Sequence, residues 1–169
     1  MSFKKNLTIT SSLTAVTAAV GTAVTDPDTL WYKLQRKPRW QPPTWLFPVA
    51  WTGLYASIAG SSARVLTDIE ENTPSPANQA PEEANQRERQ KFLAALAINL
   101  GLNAGWSALF WKGQNNTVST IEAAALAASS IDLARRAGKV NPKVGLALVP
   151  YAAWTSFATV LTGAIAKKN

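Results

Sequence analysis

The 17 basic and 10 acidic side chains of this 169-residue chain are bunched, and between the bunches lie charge-free windows at about 6 to 25, 40 to 63, 92 to 111 and 144 to 166. Another window, about 113 to 131, is interrupted only by Glu122. Each is roughly the 20 residues a helix needs to cross the hydrocarbon core of a bilayer. The expected fold is all-α, a five-transmembrane-helix bundle in a single membrane domain, with helices at about 7–24, 43–64, 92–111, 117–136 and 144–166. A mean hydropathy of -0.03 is that of a soluble protein only because the average mixes windows with bunches. A soluble helical bundle would need a charged face at 3.6-residue period, which these windows lack. Their Ala, Ser, Thr and Gly suit close helix packing in lipid.

Cysteine and histidine are both absent. That removes thiolate nucleophiles, disulfides, imidazole bases and the commonest metal ligands together. No metal site, no obligatory cofactor and no hydrolytic centre is expected. The net charge of +7 does not point to nucleic acid, because the basic residues flank apolar spans and form no single stripe. The first window follows Lys4 and Lys5 and ends in small residues near Gly21 to Ala23, so a cleavable secretory signal is the alternative to a first span. Lys and Arg are divided between the two ends of the alternating helices, so the positive-inside rule does not orient the chain.

The first window stops at Asp26-Pro27, where the proline disfavours a helical residue before it. The loop that follows holds Trp31, Tyr32 and Trp40, and a loop so rich in large aromatic rings is expected to fold onto something. Pro42 and Pro43 mark the start of the second helix. Residues of about 67 to 90 carry prolines, acids and amides and read as a mobile linker. The turn KGQNN is too short to recross a membrane, so the helices on either side of it are antiparallel neighbours.

In NLGLNAGWSALFW, helical spacing brings Asn99, Asn103, Trp106 and Ser107 within about a turn of one another. Polar groups at bilayer depth must find partners. Two readings stay open. One is interhelical hydrogen bonding; the other makes Asn103 and Ser107 polar anchors for a ligand stacked on Trp51, Trp106 and Trp154. Gly101 and Gly105, with Ala97 upstream, form a small-residue ridge for close helix contact, either within the bundle or, the preferred reading, across a homodimer interface. Glu122 should be protonated, paired or close to the wet end of its helix, and no second titrating group marks a proton relay. Trp154 one turn before Ala158 can form a flat slot for a planar ring.

Taken together, the segments WYKLQRKPRWQPPTW at Trp31 to Trp45, WTGLY at Trp51 to Tyr55, the Asn99 to Phe110 segment, Glu122 and PYAAWTSFATVL at Pro150 to Leu161 resemble the translocator protein family. Its members are also called tryptophan-rich sensory proteins or peripheral-type benzodiazepine receptors. The resemblance implies a five-helix membrane receptor that binds porphyrins or drug-like hydrophobic ligands beneath its first loop. Carried over by position, the pocket would use Tyr32, Pro42, Trp51, Tyr55, Asn103, Trp106, Ser107, Trp154 and Ala158. Light-dependent porphyrin degradation, reported for some bacterial relatives, would point to Trp51 and Trp154; transport of tetrapyrroles or other hydrophobic ligands is the other alternative. The C-terminal LTGAIAKK has no aromatic residue where animal members carry a sterol-recognition Tyr, so a bacterial membrane is expected, and a mitochondrial outer membrane only for a eukaryotic source.

Overall fold

The computed structural model describes residues 2–71 and 80–169, the side chains of 80–82 excepted. These residues are all-helical: α1 (Phe3–Val24), α2 (Leu30–Leu34), α3 (Leu46–Glu71), α4 (Ala80–Trp111), α5 (Asn116–Val140) and α6 (Pro142–Lys168). Helix α2 has only 5 residues and sits within the loop between α1 and α3. The other five have 22, 26, 32, 25 and 27 residues in chain order. Three are long and apolar enough to cross a membrane: α1, α6 and the Glu83–Trp111 part of α4. Helices α3 and α5 have the length but dilute their aliphatic residues with Ser, Thr, Gly and charged termini.

Local signals explain the boundaries. The Thr29 hydroxyl accepts from the Tyr32 N–H and starts α2. Pro42 and Pro43 do not open a helix as expected; the Leu46 N–H bonds the Pro43 carbonyl at 3.0 Å, so the prolines form the turn before α3. Asn115 caps α5 by accepting from the Val118 N–H at 3.0 Å. A single residue, Asn141, joins α5 to α6, closing α5 through its N–H and opening α6 through its side chain.

The expected linker at 67–90 is corrected at both flanks. Helix α3 runs on to Glu71 and α4 starts at Ala80, because polar residues there find partners distant in sequence. Asn6 Nδ2 donates to Thr67 Oγ1 at 3.1 Å, Arg89 Nε reaches Glu70 Oε1 at 2.9 Å, and Asn141 Nδ2 donates to Asp68 Oδ2 at 2.8 Å. Ile69 and Phe92 are buried beside them. Residues 72–79 of that expected linker lie outside the described residues.

Neighbouring helices close a ring in the order α1, α3, α6, α5, α4 and back to α1, with α3 also touching α4 and α5. Helix α1 turns its polar residues inward: Asn6, Thr10, Thr14 and Thr17 are buried, while Leu13, Val16 and Val20 are exposed. Thr10 Oγ1 donates to the Ala59 carbonyl of α3 at 2.8 Å. A helix with its hydroxyls inside and its valines outside is arranged for a hydrocarbon solvent, and it is bonded into the bundle. Exposed Val49, Ile98, Ile121, Ile131, Leu146 and Val160 extend the same apolar exterior over the other long helices.

The aliphatic core lies in the half of the bundle away from the α1–α3 loop. Ile58, Val65 and Leu66 of α3, Leu96 of α4, Leu133 of α5 and Leu148 of α6 are its fully covered members. There α5 and α6 touch backbone to backbone: a Cβ at Gly145 would lie 2.5 Å from Gly138 Cα and 2.7 Å from Gly138 N. Substituting Gly145→Ala must push the two helices apart. It is expected to cost about 1–3 kcal/mol, read as a lower unfolding midpoint in detergent, whereas Gly53→Ala, with nothing within 4 Å, should leave the midpoint unchanged or slightly raised.

Candidate functional site

Near the loop the aliphatic core gives way to aromatic rings and a directed chain of hydrogen bonds. Tyr55 Oη donates to Asn103 Oδ1 at 2.8 Å, and Asn103 Nδ2 donates to Tyr151 Oη at 3.2 Å. Tyr151 Oη donates to Asn99 Oδ1 at 2.8 Å, and Asn99 Nδ2 donates to Ser130 Oγ at 3.0 Å. Ser130 Oγ ends the series on the Leu126 carbonyl. The chain thus links α3, α4, α6 and α5, each group after Tyr55 both accepting and donating, an order in which neighbouring bonds reinforce one another.

Aromatic contacts form three groups around this chain. In the first, Trp51 stacks on Tyr55 with centroids 5.3 Å apart and meets Tyr151 edge-on at 6.4 Å. Ser107 and Tyr55 close on α1 here, since a Cβ at Gly21 would lie 3.5 Å from Ser107 Oγ and 3.9 Å from Tyr55 Oη. In the second, Trp106 stacks on Phe110 at 5.3 Å and 14°. Phe110 in turn meets Trp31, Tyr32 and Trp111. In the third, Trp154 meets Phe47 at 5.7 Å and Phe157 at 5.6 Å, and Phe157 meets Trp40 of the loop.

The loop is fastened over these rings. Gln35 Oε1 accepts from Asn116 Nδ2 at 2.9 Å. The Arg36 N–H donates to Asn169 Oδ1 at 2.9 Å, and Asn169 Nδ2 returns a bond to the Arg36 carbonyl. Lys37 Nζ sits 3.7 Å from the centre of the Tyr32 ring. Burial raises the Tyr32 phenol above its usual range, opposed in part by the bond from Gln41, and burial lowers the Lys37 ammonium.

Among the described residues, five buried polar atoms at this end have no partner: the Trp106 indole Nε1, Asn116 Oδ1, Ser119 Oγ and both carboxyl oxygens of Glu122. Glu122 is thus neither ion-paired nor at the wet helix start, and its Oε1 lies 3.4 Å from the Cβ position of Gly105. Among the described residues no group of three or more Asp or Glu is placed to hold a metal ion.

Residues 9–167, nearly the whole chain, match the TspO/MBR family. The chain belongs to that family. It is 31% identical over 156 residues to the tryptophan-rich protein TspO of Chlorobaculum tepidum, covering 92% of this chain and 89% of that one. It is 29% identical to the protein CrtK of Rhodobacter capsulatus (82% and 78% covered) and 27% to the tryptophan-rich sensory protein of Cereibacter sphaeroides (82% and 76%). As a TspO/MBR protein with an apolar helical exterior it is a membrane protein, and its bacterial relatives put it in a bacterial membrane.

This TspO/MBR chain brings its sequence-predicted site residues together only in part. Trp51, Tyr55, Asn103 and Ser107 converge, and Tyr32 and Trp106 meet through Phe110. Trp154 packs on Phe47 and Phe157 and, with Val49, Gly53, Leu54 and Pro150, lines a groove of about 390 Å³ between α3 and α6. Pro42 is half-buried at the loop end and Ala158 is half-buried on α6. Of the two readings of the Asn99–Ser107 segment, the structure shows the interhelical hydrogen bonds: Asn103 ties α4 to α3 and α6 through Tyr55 and Tyr151, while Ser107 donates to its own helix, at the Asn103 carbonyl. Sequence reasoning gave Tyr151 and Ser130 no role, passed over Phe47, and read Gly21 only as part of a possible cleavage site. The signal for Tyr151 was its polar end on a helix otherwise too apolar to hold it without a partner.

Tyr151→Phe removes the link between the two asparagines. Membrane hydrogen bonds average about 0.6 kcal/mol, but two buried amide groups lose a partner at once. The expected cost is about 1–2 kcal/mol of unfolding free energy in detergent, with Tyr55→Phe, at the end of the chain, costing less.

Proposed function

We propose that this protein is a membrane receptor or sensor for a planar, porphyrin-like hydrophobic ligand held against the aromatic cluster beneath the α1–α3 loop. The observation that carries the reading is Trp106: its ring is stacked on Phe110 and its indole N–H is buried without an acceptor. An aromatic face beside an unspent donor suits a ligand with a flat apolar body and a polar edge. Tyr32 and Trp31 of the fastened loop cover the same stack. The name of one relative, tryptophan-rich sensory protein, agrees with a sensor role. Affinity for protoporphyrin, followed by tryptophan quenching in detergent, is expected to weaken about tenfold, or ~1.4 kcal/mol, in Trp51→Phe and in Trp106→Phe. A Trp154→Phe change reports whether the α3–α6 groove takes part. Unchanged affinity in all three substitutions would remove the pocket assignment.

All five long helices are taken to span the bilayer, since α3 and α5 carry exposed Val49, Ile121 and Ile131 on their outer faces. Ala97 and Gly101 are exposed on α4, and a Cβ at Gly101 would meet nothing within 4 Å, which supports a homodimer through that ridge. Gly105 is spent within the chain, against Glu122, and leaves the expected interface. Gly101→Leu is expected to shift the purified protein from dimer to monomer by light scattering; a dimer that persists would place the interface elsewhere.

A further inference from the structure

At the end of the bundle away from the loop, α4 and α5 border a groove of about 280 Å³. Its rim is polar, with Lys91 on α4 and Ser129, Asp132 and Arg136 on α5. Its floor is apolar, formed by Ala94, Ala95 and Ile98, the last 62% exposed. From Lys91 to Ile98 is seven residues, about 10 Å along the helix. The rim lies where the charge-free window of α4 begins, immediately after Lys91, which is the level of lipid headgroups.

Charge decides what such a half-polar, half-apolar groove takes. Lys91 reaches Glu88 at 2.7 Å. Asp132 is shared between Arg135, at 2.8 Å, and Arg136. Lys139 follows Arg136 on α5 by three residues, close to one further turn. Four cations therefore stand against the two carboxylates Glu88 and Asp132, and two guanidinium groups sharing one carboxylate keep N–H donors free for a second anion. None of these residues belongs to the aromatic site. We propose that this groove binds an anionic phospholipid, its phosphate held by Lys91 and Arg136 and the first methylenes of its chains on Ala94, Ala95 and Ile98. A choline headgroup brings its own cation into an already cationic rim and binds less well.

The test uses the full chain in nanodiscs of phosphatidylcholine alone or mixed with phosphatidylglycerol, then transfer to mild detergent and native mass spectrometry of retained lipid. The wild-type protein is expected to keep phosphatidylglycerol in preference to phosphatidylcholine. The double substitution Lys91→Gln/Arg136→Gln is expected to reduce that retention at least about tenfold. Ala94→Trp, which fills the floor and leaves every charge in place, is expected to reduce it as well, so the result does not hang on one variant folding. Equal retention of the two lipids, or undiminished phosphatidylglycerol in either variant, overturns the proposal. Displacement of the lipid by millimolar inorganic phosphate also overturns it, since the site would then read free phosphate and not a lipid.

Discussion

A polar atom inside a bilayer has no water to turn to, and in this protein that constraint is met by the series running from Tyr55 through Asn103, Tyr151 and Asn99 to Ser130. Each member satisfies the next, so α3, α4, α5 and α6 are held at one set of distances and rotations. The rings around the series inherit their positions from it. Trp51 is placed by its stack on Tyr55, and Tyr151 is both the middle bond of the series and the edge that Trp51 meets. The aliphatic core in the other half of the bundle supplies bulk contact, but aliphatic contact alone permits many registers in lipid, where there is no hydrophobic force between helices.

Much of the arrangement follows from features visible in the linear chain. Charge-free windows locate five long helices, and three of them are apolar and long enough to cross a membrane. The Asn99 and Asn103 spacing marks a polar face that needs partners, and the tryptophan-rich loop folds onto the bundle as its composition demands. What could not be read depends on partners remote in sequence. The acidic stretch after Arg64 looks like a linker until Asn6, Arg89 and Asn141 are brought beside Thr67, Glu70 and Asp68. Trp154 looks like a partner for Trp51, yet it stands three residues from Tyr151, nearly one turn, and that small angular offset points it at Phe47. The ridge from Ala97 to Gly105 reads as one interface, while the far member is already used against Glu122.

The two ends of the bundle differ in the chemistry they present. The loop end concentrates aromatic rings with unspent polar atoms beneath a fastened cover. The opposite end mixes cations with carboxylates in ion pairs such as Arg64–Asp68, Arg89–Glu70 and Arg136–Asp132, with an apolar floor between α4 and α5. The two ends of the bundle thus present separate surfaces, one built of stacked rings and one of ion pairs above apolar side chains.

The hairpin of α5 and α6 turns on one residue, Asn141, and its arms touch backbone to backbone at Gly138 and Gly145. The loop over the aromatic cluster is fastened to the opposite tips of those same arms, through Asn116 at the start of α5 and Asn169 beyond the end of α6. Cover and hairpin are therefore joined, with Asn141 at the end of the hairpin away from the cover. The loop over the rings and the contact between Asn141 and Asp68 at the other end of the bundle share one connection, the length of two packed helices.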